Sequence, residues 1–128
     1  GIEIMANSDN VVRAGLTSKP INTGLLRKLA RLEHTEAVRP EMVTEDAVRQ
    51  FRTEADEFCL ELLEDGTAVV AHGPRIVLAL GSDCEVVTTA ERRVVPKGHA
   101  VFVRASSGTA TVSSEGLTAI ASVPPARR

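Results

Sequence analysis

Apolar and polar positions alternate with a period of two along most of this chain, the spacing that sends successive side chains to opposite faces of a strand. Short runs of this kind occupy Phe58 to Leu63, Thr67 to His72, Arg75 to Leu80, Cys84 to Thr88, Ala100 to Val103, Thr109 to Val112 and Leu117 to Val123. Between them stand Asp65-Gly66, Gly73-Pro74, Gly81-Ser82, Pro96-Lys97-Gly98, Ser106-Ser107-Gly108 and Glu115-Gly116, which are turn signals. Many short strands joined by glycine-rich turns predict a mainly β fold, a sandwich or a jelly-roll barrel.

The first half reads differently. Ile2 to Ala6 alternates like a strand, Asn7-Ser8-Asp9-Asn10 makes a polar turn, and Val11 to Leu16 reads as a second strand, so the opening is a candidate β-hairpin. Val11, Arg13 and Gly15 share one face of that second strand, which suits an Arg13 aimed into a cleft. Thr17-Ser18-Lys19-Pro20 breaks the pattern. Asn22 or Thr23 then caps a short helix that carries Leu25, Leu26, Leu29 and Leu32 on one stripe and Arg27, Lys28 and Arg31 on a solvated side. Residues 33–54 are polar, with Pro40 as a breaker, and read as a connecting segment with a short strand around Met42. The organisation expected is an opening hairpin over 1–20, a helix and linker over 21–54, and a β-barrel over 55–128. The tail from Pro124 to Arg128 cannot continue a strand.

Composition narrows the classes. With 128 residues the chain fits one domain, or the end of a larger one. Its only aromatic residues are Phe51, Phe58 and Phe102, so the core must be built from Val, Leu, Ile and Ala. Fifteen basic and seventeen acidic side chains give a net charge of -2, with no basic stripe, which argues against a nucleic-acid partner. No apolar run approaches the roughly 18 residues that span a bilayer, and the first residues lack the layout of a secretory signal. The chain therefore reads as a cytoplasmic protein with no membrane partner. Cys59 and Cys84 sit in apolar β-like runs and are expected as buried, reduced thiols. Gly1 opens directly into an alternating strand, the pattern expected of a piece cut from a longer protein.

The run Glu3-Ile4-Met5-Ala6-Asn7-Ser8-Asp9-Asn10-Val11-Val12-Arg13-Ala14-Gly15-Leu16-Thr17-Ser18-Lys19 closely resembles the signature stretch of the type I mannose-6-phosphate isomerases. The helix after Lys19, the run from Pro40 to Leu63 and the segment Gly98-His99-Ala100-Val101-Phe102-Val103 resemble the carboxy-terminal half of that family more loosely. The resemblance implies a cupin-type jelly roll and a zinc-assisted interconversion of mannose 6-phosphate and fructose 6-phosphate through an enediol. It also implies that the zinc ligands, a Gln-x-His pair, a Glu and a second His, belong to an amino-terminal catalytic part lying before the signature. By position Arg13 matches the active-site arginine of the Val-Arg-Ala-Gly motif, Lys19 the lysine of Thr-x-Lys, and Glu3 the acidic residue that opens the motif. Where the family often has Thr-Pro-Lys, this chain has Thr17-Ser18-Lys19.

Those residue types suit the chemistry. Removing a proton beside a carbonyl builds negative charge on oxygen, which a permanently charged Arg13 can meet. The phosphate needs an anchor away from the reacting carbons, and Lys19 supplies a point charge. Glu3 is either a proton-transfer group or the counter-ion that positions Arg13. Asp9 and Asn10 fit a turn role better than a chemical one. A metal-binding cupin would also carry a His-x-His pair and a later Glu, which are absent, and a His three residues beyond Gly98, where Val101 stands. His34, His72 and His99 are accordingly not expected to be ligands, and a metal-dependent dioxygenase or epimerase is disfavoured. The competing reading is a free-standing, non-catalytic cupin module that binds a sugar phosphate.

Overall fold

The computed structural model describes residues 1–5, 7, 11–34, 36–70 and 73–124. The chain divides into two units, one formed by Gly1–Ile4 with Pro40–Arg128 and the other by Met5–Arg39.

The larger unit holds ten strands: β1 (Glu41–Glu45), β2 (Val48–Arg52), β3 (Cys59–Leu63), β4 (Gly66–Val70), β5 (Arg75–Ala79), β6 (Cys84–Val87), β7 (Arg92–Val95), β8 (Ala100–Val103), β9 (Ala110–Ser114) and β10 (Thr118–Ser122). They form a six-stranded sheet in the order β1-β2-β3-β10-β5-β8 and a four-stranded sheet in the order β4-β9-β6-β7. All the pairings are antiparallel. From β3 onward successive strands alternate between the two sheets or return across them, which is the double-sheet connectivity of a jelly roll. The β1–β2 hairpin extends one sheet beyond it.

Burial explains the alternation. Val77 and Ala79 of β5, Leu63 of β3, Ile120 of β10 and Val103 of β8 face inward from one sheet. Ala68, Val70, Cys84, Val86, Val95, Ala110 and Val112 meet them from the other. The core is thus aliphatic, as the scarcity of aromatic residues requires.

Some expectations are corrected. Where the sequence predicts an opening hairpin, no strand is present among the described residues before Glu41. A two-stranded hairpin without a sheet to join is marginal in water. Ala6, Ser8, Asp9 and Asn10 lie outside the described residues. The helix, α1 (Thr23–Leu29), is capped by Asn22, whose side chain accepts a hydrogen bond from the Leu25 amide. It stops three residues before Leu32, because Ala30 is already extended. Residues 41–52, read as connection with one short strand, form two paired strands. Their turn is made by Asp46 and Ala47, with Asp46 at φ +50°.

Candidate functional site

The residues singled out by the sequence fall in both units. Glu3 lies in the short segment Gly1–Ile4 of the β unit and is exposed. Arg13 and Lys19 lie in the unit Met5–Arg39, Arg13 half-buried and Lys19 exposed. The backbone around Lys19 is shaped by its neighbour: the Lys19 amide donates to the Thr17 hydroxyl at 3.1 Å. Such a hydroxyl turn bends the chain just before Pro20 and leaves the lysine side chain free to reach outward. Among the described residues no ion pair engages Arg13 or Lys19.

Two histidines can be placed. His34 is exposed. His99 closes the turn from Pro96, its amide donating to the Pro96 carbonyl at 2.9 Å, while Gly98 takes φ +81° and donates to the Ala79 carbonyl at 2.8 Å. The His99 ring Nδ1 lies 3.3 Å from the Lys97 carbonyl oxygen. Val101, at the position where a metal-binding cupin would present a ligand, packs against the aliphatic core. His72 lies outside the described residues. Among the described residues no three His, Cys, Asp or Glu side chains gather into a group that fits a metal ion. These side chains therefore do not make a zinc site.

The interior holds a charge that sequence reasoning missed. Arg75, read as the first residue of a strand, is buried at the end of β5, and its guanidinium donates to the Gly108 carbonyl. Burial lowers its pKa. Nothing local in the sequence signals this, because the acceptor comes from a loop far along the chain. Both cysteines are free thiols, Cys84 buried and Cys59 half-buried. Burial pushes the pKa of each upward, with Glu61 adding to the effect at Cys59.

Hollows flank the six-stranded sheet. On its outer side an apolar groove of about 640 Å³ is lined by Ile2 and Ile4 together with Phe51, Phe58, Leu60 and Leu117. Another hollow is polar and includes Gln50, Arg52 and Glu61. There Gln50 Nε2 donates to Glu61 at 3.0 Å, and Arg52 Nε donates to Gln50 Oε1 at 2.9 Å. Gln50 thus links Arg52 to Glu61 across the strands.

No helix among the described residues is long and apolar enough to cross a membrane. No family model matches the chain. It is similar to mannose-6-phosphate isomerase 1 of Arabidopsis thaliana, 32% identical over 115 residues that cover 83% of this chain and 26% of the plant protein. It is also similar to the mannose-6-phosphate isomerase of Escherichia coli K12, 28% identical over 90% of this chain and 31% of the bacterial protein. Among solved structures it superposes on mannose 6-phosphate isomerase from Salmonella typhimurium in its apo form, with TM-score 0.78 and 25% identity, over 94% of this chain and 32% of that one. The same Salmonella enzyme bound to fructose 6-phosphate and zinc matches equally well, with TM-score 0.78. The chain thus spans about a quarter to a third of the length of the relatives it matches. On sequence and on strand arrangement together, it is a relative of the mannose-6-phosphate isomerases.

Proposed function

We propose that these 128 residues are the carboxy-terminal part of a zinc-dependent aldose–ketose isomerase that interconverts mannose 6-phosphate and fructose 6-phosphate in the cytoplasm. The observation that carries this reading is the ordered run from Glu3 to Lys19 in a chain whose relatives are such isomerases. The Salmonella relative holding fructose 6-phosphate and zinc supports the substrate class and the metal. In this reading residues 1–20 complete the catalytic cupin domain, residues 21–39 connect, and the cupin-type jelly roll, one sheet of which β1 and β2 extend, supports it. On the same reading the zinc ligands belong to polypeptide outside these residues.

The chemistry assigned to this chain is electrostatic. In the open-chain sugar a proton leaves C2, an enediol forms, and a proton returns to C1, so no atoms are gained or lost. Arg13, charged at every working pH, faces the oxygen on which negative charge develops. Lys19 anchors the phosphate, and the Thr17 turn fixes where its backbone starts. Glu3 either moves the proton or holds Arg13 in place.

In the complete isomerase, Arg13→Ala is expected to lower turnover by about a hundredfold or more, the effect of losing one preorganised charge donor. Lys19→Ala is expected to raise KM for the phosphorylated sugar more than it lowers kcat. Normal turnover in the first variant removes Arg13 from the reaction, and an unchanged KM in the second moves the phosphate elsewhere.

A further inference from the structure

We propose that the polar hollow between the β1–β2 hairpin and the edge of β4 is a binding site for a neutral polyhydroxylated ligand, a pyranose sugar without phosphate. The two sheets differ in width, six strands against four, and β4 is the edge strand of the narrower one. The hollow lies where the wider sheet runs on past that edge. Gln50, Arg52 and Glu61 line it from one side, and Thr67, Ala68 and Val69 of β4 line it from the other. Its volume is about 380 Å³. Small-molecule sites run from about 300 to 1,000 Å³, so a hollow of this size takes a ligand no larger than a single sugar ring.

The strand register puts these polar groups on the core face of the sheet. Val43, Gln50, Glu61, Ile120, Val77 and Val101 stand in one row across all six strands. Ile120 and Val77 in that row are fully buried among aliphatic side chains. An amide and a carboxylate on the same face cost stability unless they are paired, and Val or Leu would fill those positions more cheaply. Two bonds already order the group: Gln50 Nε2 donates to Glu61 at 3.0 Å, and Arg52 Nε donates to Gln50 Oε1 at 2.9 Å. By valence a second Gln50 N–H, a second Glu61 oxygen and four further Arg52 N–H groups are left over to serve a ligand.

The ligand class follows from that chain of guanidinium, amide and carboxylate. Its occupant has to accept from Arg52 and donate to Glu61 through neighbouring atoms. Vicinal hydroxyls do both, whereas an ammonium ion only donates and a carboxylate only accepts. Charge excludes the phosphorylated sugars: Glu45, Asp46 and Glu61 set three carboxylates against the Arg52 guanidinium in the lining, which repels a phosphate dianion. Val43, Val48 and Ala68 in the same lining offer apolar surface to the C–H groups of a sugar ring. Glu3, Arg13 and Lys19 take no part, so the proposal stands independently of the isomerase reading.

Calorimetric titration of the complete product of the gene with methyl α-mannopyranoside tests this. The blocked anomeric carbon keeps that ring closed, so it is no substrate for aldose–ketose isomerisation, and saturating fructose 6-phosphate in the cell occupies any site for the phosphorylated sugar. Saturable binding at one site is expected. Gln50→Leu is expected to weaken it about tenfold or more while leaving Tm unchanged or raised, because the leucine suits the core face. Arg52→Gln, at an exposed residue whose replacement spares the fold, is expected to weaken it by a similar factor. Absence of saturable binding, or binding that Arg52→Gln leaves unchanged, would overturn the proposal. Displacement of the glycoside by inorganic phosphate would overturn it too, since the hollow would then be an anion site. A gene product without isomerase activity that still binds the glycoside in this way loses the proposed function and keeps this site.

Discussion

Ile120 offers a direct test of the packing account. It is fully buried in β10, the strand flanked by β3 and β5, and its side chain lies in the aliphatic core between the two sheets. Ile120→Ala removes three carbons, a transfer loss of about 2.4 kcal/mol at 0.8 per methylene. The cavity left between two sheets that cannot collapse adds about 1 to 2 kcal/mol. The sum, about 3.4 to 4.4 kcal/mol, is a large share of the stability of a domain this size. For a unit of roughly 90 residues the unfolding entropy is near 0.2 kcal/mol/K, so Tm should fall by about 17 to 22 °C. The chain has no Trp and no Tyr, so unfolding is followed by far-ultraviolet circular dichroism. Ile76→Ala is the matched control, since Ile76 stands on the adjacent strand but faces outward and is half exposed. In the 128-residue chain it should cost under about 1 kcal/mol. Equal shifts in the two variants would refute the inward and outward assignment of β5 and β10.

Two further outcomes follow from particular contacts. A Cβ at Gly81 would sit 2.5 Å from the Leu117 backbone nitrogen, so Gly81→Ala should force the β5–β6 turn apart and lower Tm, while Gly73→Ala, with open space around it, should act only through its φ of +123°. If thermal unfolding of Gly81→Ala matches the parent, that close approach is wrong. The Cys84 thiol is pushed above its ordinary value of 9.0 by burial, an effect that the neighbouring Thr118 side chain opposes. Its contribution to stability is therefore fully present below pH 9.0 and lost as pH rises beyond it. A thiol reagent at neutral pH should label half-buried Cys59 first and reach Cys84 only on unfolding; equal rates would contradict the burial of Cys84.

The strands that face the core on alternate residues were legible in the sequence, because burial on one face demands period two. β8 runs from Ala100 to Val103 as read, and β3, β5 and β6 differ from the reading by a residue at one end. The missed strands lack that demand. β7 contains Arg92 and Arg93 and lies at a sheet edge, where water takes one side and the alternation fades. β2 is hidden because its turn uses Asp46 at positive φ in place of glycine. The opposite difference, strands expected where the described residues 2–5 and 11–16 form none, arises because alternation reports a strand's readiness to pair without supplying an edge to pair with. The candidate site was legible only as a pattern of residues from Glu3 to Lys19. Arg75 was invisible, since its burial depends on a carbonyl that the fold delivers from Gly108.

The central claim is best tested by assaying the complete product of the gene for conversion of mannose 6-phosphate to fructose 6-phosphate, before and after removal of metal. The account predicts an active isomerase that a chelator silences and zinc restores. A complete product that binds the sugar phosphate but leaves it unconverted with zinc present would contradict it, and would make the chain a binding module.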